Sequence, residues 1–108
     1  MFFFNKDAAK NPISETTVRQ VLAHSGDLMV CQLSGKANDG VAEHTHPHTQ
    51  ITYVISGRVS VTIGGETREL GPGDSALMPP NVPHSAINLE DTVSLDIFNP
   101  AREDFLKQ

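Results

Sequence analysis

His44-Thr45-His46-Pro47-His48-Thr49-Gln50 gathers three of the chain's five histidines into one short segment. In extended backbone, side chains two residues apart project to the same side, so His44 and His46 can reach a common point. Pro47 restricts the backbone just beyond them and helps to hold that geometry. Imidazole is the commonest protein ligand for metals, and two on one face form half of a metal site. Taken alone, the segment also suits an exposed polar loop or an adventitious metal clamp.

Outward from this segment, turn signals recur at short intervals and the stretches between them are rich in Val, Ile and Thr, the mark of an all-β sandwich or barrel. Strands are predicted over 18–23, 28–33, 50–55, 59–63, 66–70, 75–78, 84–88 and 92–98. Between them lie Ser25-Gly26-Asp27, Asn38-Asp39-Gly40, Ser56-Gly57-Arg58 and Gly71-Pro72-Gly73-Asp74, all turn-forming. Gly64-Gly65 reads as a tight hairpin turn, because both residues tolerate positive φ. In 59–63, Val59, Val61 and Ile63 share one face, and Ser60 and Thr62 share the other. Pro79, Pro80 and Pro83 make the stretch around them a loop. Only the end reads as helical: Pro100 suits a first turn, and 102–107 allow about a turn and a half.

A chain of 108 residues suits one domain, 1–108, with a thin core that barrel closure, a bound metal or a partner subunit would reinforce. The formal net charge is -5 and the eight Lys and Arg are scattered, which argues against nucleic acid as a partner. No apolar stretch is long enough to cross a membrane, and Phe2-Phe3-Phe4 is too short for a signal-peptide core, so the expected compartment is the cytoplasm. The single cysteine, Cys31, alternates with Met29 and Leu33 and reads as a small buried apolar residue. His24 stands alone at a turn and reads as a surface residue.

From His44 the chain runs His-x-His-x-x-x-Gln50, then six residues to Gly57. Gly73 is followed by five residues, Pro79, one residue, Asn81, two residues, His84, three residues and Asn88. These two runs resemble the paired signature motifs of the cupin superfamily, over roughly residues 40–88. The resemblance implies a jelly-roll (double-stranded β-helix) barrel in which His44, His46 and His84 bind a divalent ion. Gln50 stands where Glu is usual, and Asn81 where Gly is usual; Asn also tolerates the left-handed conformation. A neutral amide leaves the ion's full charge in place, which favours Lewis-acid work over stabilising oxidised iron. Gln50 otherwise serves by hydrogen-bonding behind the ligands. His48 is an alternative ligand or a residue lining the mouth.

The second constellation is Asp96-Ile97-Phe98-Asn99-Pro100-Ala101-Arg102. Asp96 and Phe98 share one strand face, opposite Leu95 and Ile97. An acid on that face is costly in a core but suits a ligand cavity. Arg102, past Pro100, can bring its guanidinium to the same mouth and bind a carboxylate through two hydrogen bonds. The competing reading is an Asp96–Arg102 ion pair closing the barrel's end.

His-x-His-Pro-His-x-Gln followed by D-x-F-x-P-x-R-x-D-F is similar to the small cupins of pectin and alginate breakdown. That resemblance implies metal-dependent conversion of 4,5-unsaturated monouronates to linear keto acids, an isomerisation. The implied ligands are His44, His46, Gln50 and His84, and the substrate-side residues Asp96, Phe98 and Arg102. It also implies a small anionic sugar acid as partner. His and Gln donors suit Zn, Ni, Mn and Fe alike. Other readings are an iron-dependent dioxygenase, a sugar isomerase, or a sugar-binding module without catalysis; Gln50 argues mildly against oxygen chemistry. A homodimer is expected, since small cupins commonly pair through sheet edges, with Phe2-Phe3-Phe4 packing on the second subunit or on its own barrel's end.

Overall fold

Along residues 49–56, buried Gln50, Thr52 and Val54 alternate with exposed Ile51, Tyr53 and Ile55, so the strand presents one face to an interior and one to solvent. The computed structural model, which describes residues 1–107, contains ten strands. They are β1 (Asn11–Pro12), β2 (Thr17–His24), β3 (Met29–Gly35), β4 (Gly40–His44) and β5 (Thr49–Ser56), followed by β6 (Val59–Ile63), β7 (Glu66–Leu70), β8 (Ser75–Met78), β9 (His84–Asn88) and β10 (Thr92–Asn99). A six-stranded sheet in the order β1-β2-β3-β10-β5-β8 faces a four-stranded one in the order β4-β9-β6-β7. Every pairing is antiparallel.

The eight strands expected from sequence are present: those over 59–63, 66–70, 75–78 and 84–88 match at both ends, and the other four differ by one or two residues at their ends. β1 and β4 were not anticipated. The hairpin at Gly64 and Gly65 has positive φ at both residues (56° and 86°), as a primed turn requires. Asn81 is left-handed at φ 65°, so it fills the glycine's backbone role.

The C-terminal helix is corrected to a single 3-10 turn, Glu103–Lys107. So few residues cannot nucleate an α-helix. The turn is held instead by Phe105, whose N–H donates to the Arg102 carbonyl (3.1 Å) and whose ring is buried. The Asn99–Pro100 bond ahead of it is cis.

Two apolar clusters form the core. Met29, Cys31, Phe98, Ala101 and Phe105 make one; Val54, Val59, Val61 and Met78 make the other. Cys31 is fully buried, and that burial pushes its thiol up to about 12. Phe2, Phe3 and Phe4 are exposed, and only Phe3 has a ring contact, with His24 at 5.2 Å. Among the described residues, no helix is long and apolar enough to cross a membrane.

Candidate active site

The His44–Gln50 segment carries the chain from the four-stranded sheet to the six-stranded one. His44 ends β4 and lies directly opposite His84, the first residue of β9. Gln50 lies near the start of β5, opposite Phe98 of β10. His46 occupies the link between the sheets, where its carbonyl accepts the Asn81 N–H at 2.8 Å. Topology thus converges residues from both sequence motifs on one point.

The imidazoles of His44, His46 and His84 bring their ligand atoms within 4.8 Å of one another. Each Nδ1 faces a backbone carbonyl: Ala42 for His44 (2.8 Å), His48 for His46 (3.0 Å) and Val82 for His84 (2.9 Å). A carbonyl oxygen only accepts, so these contacts place the proton on Nδ1 and leave the Nε2 lone pairs facing the shared point. Nε2 of His84 is buried with no hydrogen-bond partner among the described residues. Nε2 of His46 lies 2.9 Å from Gln50 Oε1. With Nδ1 protonated, that contact sets acceptor against acceptor, an arrangement that a cation resolves. Burial holds His84 below the ordinary imidazole value, and His44 and His46 push the same way against the opposing Val82 carbonyl, favouring the neutral, ligating form. The donor set therefore fits a divalent ion, with the neutral Gln50 oxygen beside three imidazoles.

His48 stays outside this group. Its ring packs 5.4 Å from His46 and 6.4 Å from Phe98, while its carbonyl orients His46. Desolvation, Arg102 and His46 together hold it below its ordinary value.

From Gln50 a hydrogen-bond chain runs inward. Its Nε2 donates to Thr52 Oγ1 (3.0 Å), and Thr52 Oγ1 donates to Asp96 Oδ1 (2.7 Å). Thr52 and Asp96 are direct cross-strand partners, so register sets this contact. Because the hydroxyl gives its one proton to the carboxylate, it must accept from the amide, which turns Oε1 toward the histidines. Burial pushes Asp96 above the usual carboxylate range, opposed by its bonds with Thr52 and Gln50 and by Arg19 and Arg102.

Asp96, Phe98, Arg102, Gln50, His44 and His84 line one cavity of about 300 Å³ lying between the two core clusters. Arg102 does not pair with Asp96: its Nε and Nη2 grip Asp104 at 3.1 and 3.0 Å. Its guanidinium carbon lies 4.2 Å from the Phe105 ring centre and 5.3 Å from that of Phe98. Phe98 belongs equally to the core and the site, since its ring also meets His46 at 5.9 Å. Among the lining residues that sequence reasoning did not single out are Thr52, Arg19 and Phe105. The available signal was a polar residue on the inward face of a strand: Thr52 alternates with Gln50 and Val54, and Arg19 with Thr17 and Val21.

Comparison with known proteins agrees with this architecture. The cupin domain family model matches residues 29–98. The pectin degradation protein KdgF of Dickeya dadantii (strain 3937) is 34% identical over 97% of both chains. Among solved structures, KdgF from Halomonas sp. superposes with a TM-score of 0.93 at 34% identity, covering 97% of each chain. An RmlC-like cupin from Shewanella frigidimarina superposes at 0.92 and 33% identity, covering 96% of this chain and 94% of that one. This chain belongs to the cupin family, within the group of small cupins that includes the pectin degradation protein KdgF.

Proposed function

We propose that this protein opens the ring of 4,5-unsaturated monouronates released in pectin or alginate breakdown and delivers linear keto acids. The observation that carries the reading is the connection His46–Gln50–Thr52–Asp96, which joins the candidate metal ligands to a carboxylate inside the cavity. Whole-length similarity to a protein of pectin degradation supports it.

His44, His46, Gln50 and His84 would hold one divalent ion, Zn, Ni, Mn or Fe. Bound there, it supplies Lewis acidity to an oxygen of the substrate. Arg102, steadied by Asp104 and by the two phenylalanine rings, takes the substrate carboxylate through two charge-assisted hydrogen bonds. Phe98 packs against the sugar ring. Asp96 takes the proton of the anomeric hydroxyl as the bond from the anomeric carbon to the ring oxygen breaks. The electron pair of that bond passes to the ring oxygen and generates an enolate, while the anomeric carbon becomes an aldehyde. Return of a proton to the alkene carbon gives the ketone, so substrate and product are isomers. Thr52 keeps Asp96 aimed throughout.

The test is ultraviolet absorbance of the conjugated enol acid, followed with metal-loaded protein. We expect the signal to fall, to persist after chelation, and to persist with His46→Ala. Asp96→Asn should slow the loss by about 10²–10⁴-fold, the range for one positioned acid–base group. No loss with any of Zn, Ni, Mn or Fe overturns the reading. Full activity in both Asp96→Asn and Arg102→Ala overturns the assignment of roles.

The protein is further read as a cytoplasmic homodimer. Ile51, Tyr53, Ile55 and Leu77 on the outer face of β5 and β8 are 41–56% exposed, beside half-buried Leu95 and Ile97 of β10. A contiguous apolar sheet face of this kind suits a second copy better than solvent. The exposed Phe2-Phe3-Phe4 segment supports the same reading.

A further inference from the structure

Ser94 lies on the same face of β10 as Asp96 and Phe98, and it lines the same cavity. The other hydroxyls at inward strand positions around that cavity are committed to the protein. Thr52 donates to Asp96 (2.7 Å), Thr17 donates to Asp39, and Thr92 is held by the carbonyls of Arg58 and Glu90 (3.1 and 2.9 Å). Among the described residues, the Ser94 hydroxyl has no hydrogen-bond partner. Its cross-strand neighbours are Leu33 on β3 and Val54 on β5, whose side chains neither donate nor accept. The register of β10 against β5 shifts beside it, between Val93 and Ser94. Irregularities of this kind re-aim side chains next to sites.

In this stretch of wall, alanine would pack as well as serine and would carry no hydroxyl to desolvate. The hydroxyl gains a use when an occupant of the cavity brings the missing partner. Arg102, Phe98, Asp96 and Ser94 follow one another along β10 and its extension, and inward residues on a strand stand about 7 Å apart. A sugar acid has a matching order. Its carboxylate is borne by carbon 5, and carbon 2 lies directly across the ring, next to the anomeric carbon. With the carboxylate at Arg102, the ring on Phe98 and the anomeric hydroxyl at Asp96, the 2-hydroxyl is the group that points on toward Ser94.

We propose that Ser94 hydrogen-bonds the 2-hydroxyl of the bound sugar acid and thereby discriminates between monouronates that differ at carbon 2. The inference rests on the sugar-acid reading of this site and deepens it. Pectin- and alginate-derived unsaturated monouronates form such a pair, because elimination erases the configuration at carbons 4 and 5 and leaves the difference at carbon 2. A serine hydroxyl can donate or accept, and only one of the two configurations aims the 2-hydroxyl at it. A site that hydrogen-bonds a substrate hydroxyl disfavours a ligand that does not offer one there.

The experiment compares metal-loaded wild type with Ser94→Ala. Calorimetry reads the affinity for galacturonate, a saturated monouronate, and for 2-deoxygalacturonate, which lacks the hydroxyl in question. Steady-state kinetics give the ratio of kcat/KM for the pectin-derived and alginate-derived unsaturated monouronates. Ser94→Ala removes an atom that no protein group holds, so its melting temperature should match that of wild type. It should weaken galacturonate about three- to tenfold and leave 2-deoxygalacturonate within about twofold. The kinetic ratio should shift by about threefold or more. Equal effects on the two saturated probes, or an unchanged ratio, overturn the proposal and leave Ser94 as cavity wall. Coupling between Ser94 and the 2-hydroxyl of galacturonate, in a protein that opens neither unsaturated ring, sinks the ring-opening reading and keeps the contact.

Discussion

Thr52 is small, buried and easily overlooked, yet two functional groups take their orientation from it. Its hydroxyl receives the Gln50 amide and gives its proton to Asp96. Replacement by valine keeps the shape and removes both bonds, freeing the amide to turn and taking one donor from the carboxylate. We expect Thr52→Val to weaken metal affinity about 10- to 100-fold, measured by competition with a chromophoric chelator, while Thr52→Ser stays near wild type. Equal affinities in all three proteins would remove Thr52 from the ligand's support. At this scale the sequence is legible where chemistry follows spacing. His44, Gln50 and His84, with Asp96, Phe98 and Arg102, are named by motif and line one cavity, and His46 lies beside them, 2.9 Å from Gln50. Thr52 escapes because its contact with Asp96 arises from cross-strand register, β5 against β10, which local sequence does not encode.

At the level of elements, the turn before β4 is tied to the turn before β2 through Asp39. Its carboxylate accepts the hydroxyls of Ser14, Thr16 and Thr17, with Gly40 N–H on the other oxygen. These donors, Ser14 foremost, hold Asp39 well below the ordinary carboxylate value of 3.8. A depressed folded-state value means the contribution to stability is complete above 3.8 and fades as pH falls through the folded value. Melting temperatures of wild type and Asp39→Ala should therefore differ at neutral pH and converge on acidification below about pH 4. A gap that is constant with pH would mean that the ionised carboxylate is not what ties the turns. The same region explains why β4 went unseen: its sequence, Gly-Val-Ala-Glu-His, has one β-branched residue and is mostly exposed, so it is a strand because β9 pairs with it. The Val/Ile/Thr-rich strands and Gly-Gly hairpin, by contrast, announce themselves locally. The terminal turn misled in the opposite sense, since its helical composition spans too few residues to propagate.

For the molecule as a whole, the proposed dimer rests on the exposed apolar residues on the outer face of the six-stranded sheet. Sedimentation velocity should give a dimer for wild type and a monomer for the double variant Ile51→Lys, Tyr53→Lys, whose side chains point away from the cavity. A monomeric wild type would assign that face to something else. The cavity has a consequence of its own at this scale. It divides the core into two clusters that strand pairing joins, so the interior is hollow where most small domains are solid. Unfolding eliminates whatever part of that space water does not fill, and the system's volume shrinks by an amount that scales with it. Hydrostatic pressure therefore acts directly on the space where the sugar acid is meant to lie. An occupant that fills that space makes the barrel harder to compress.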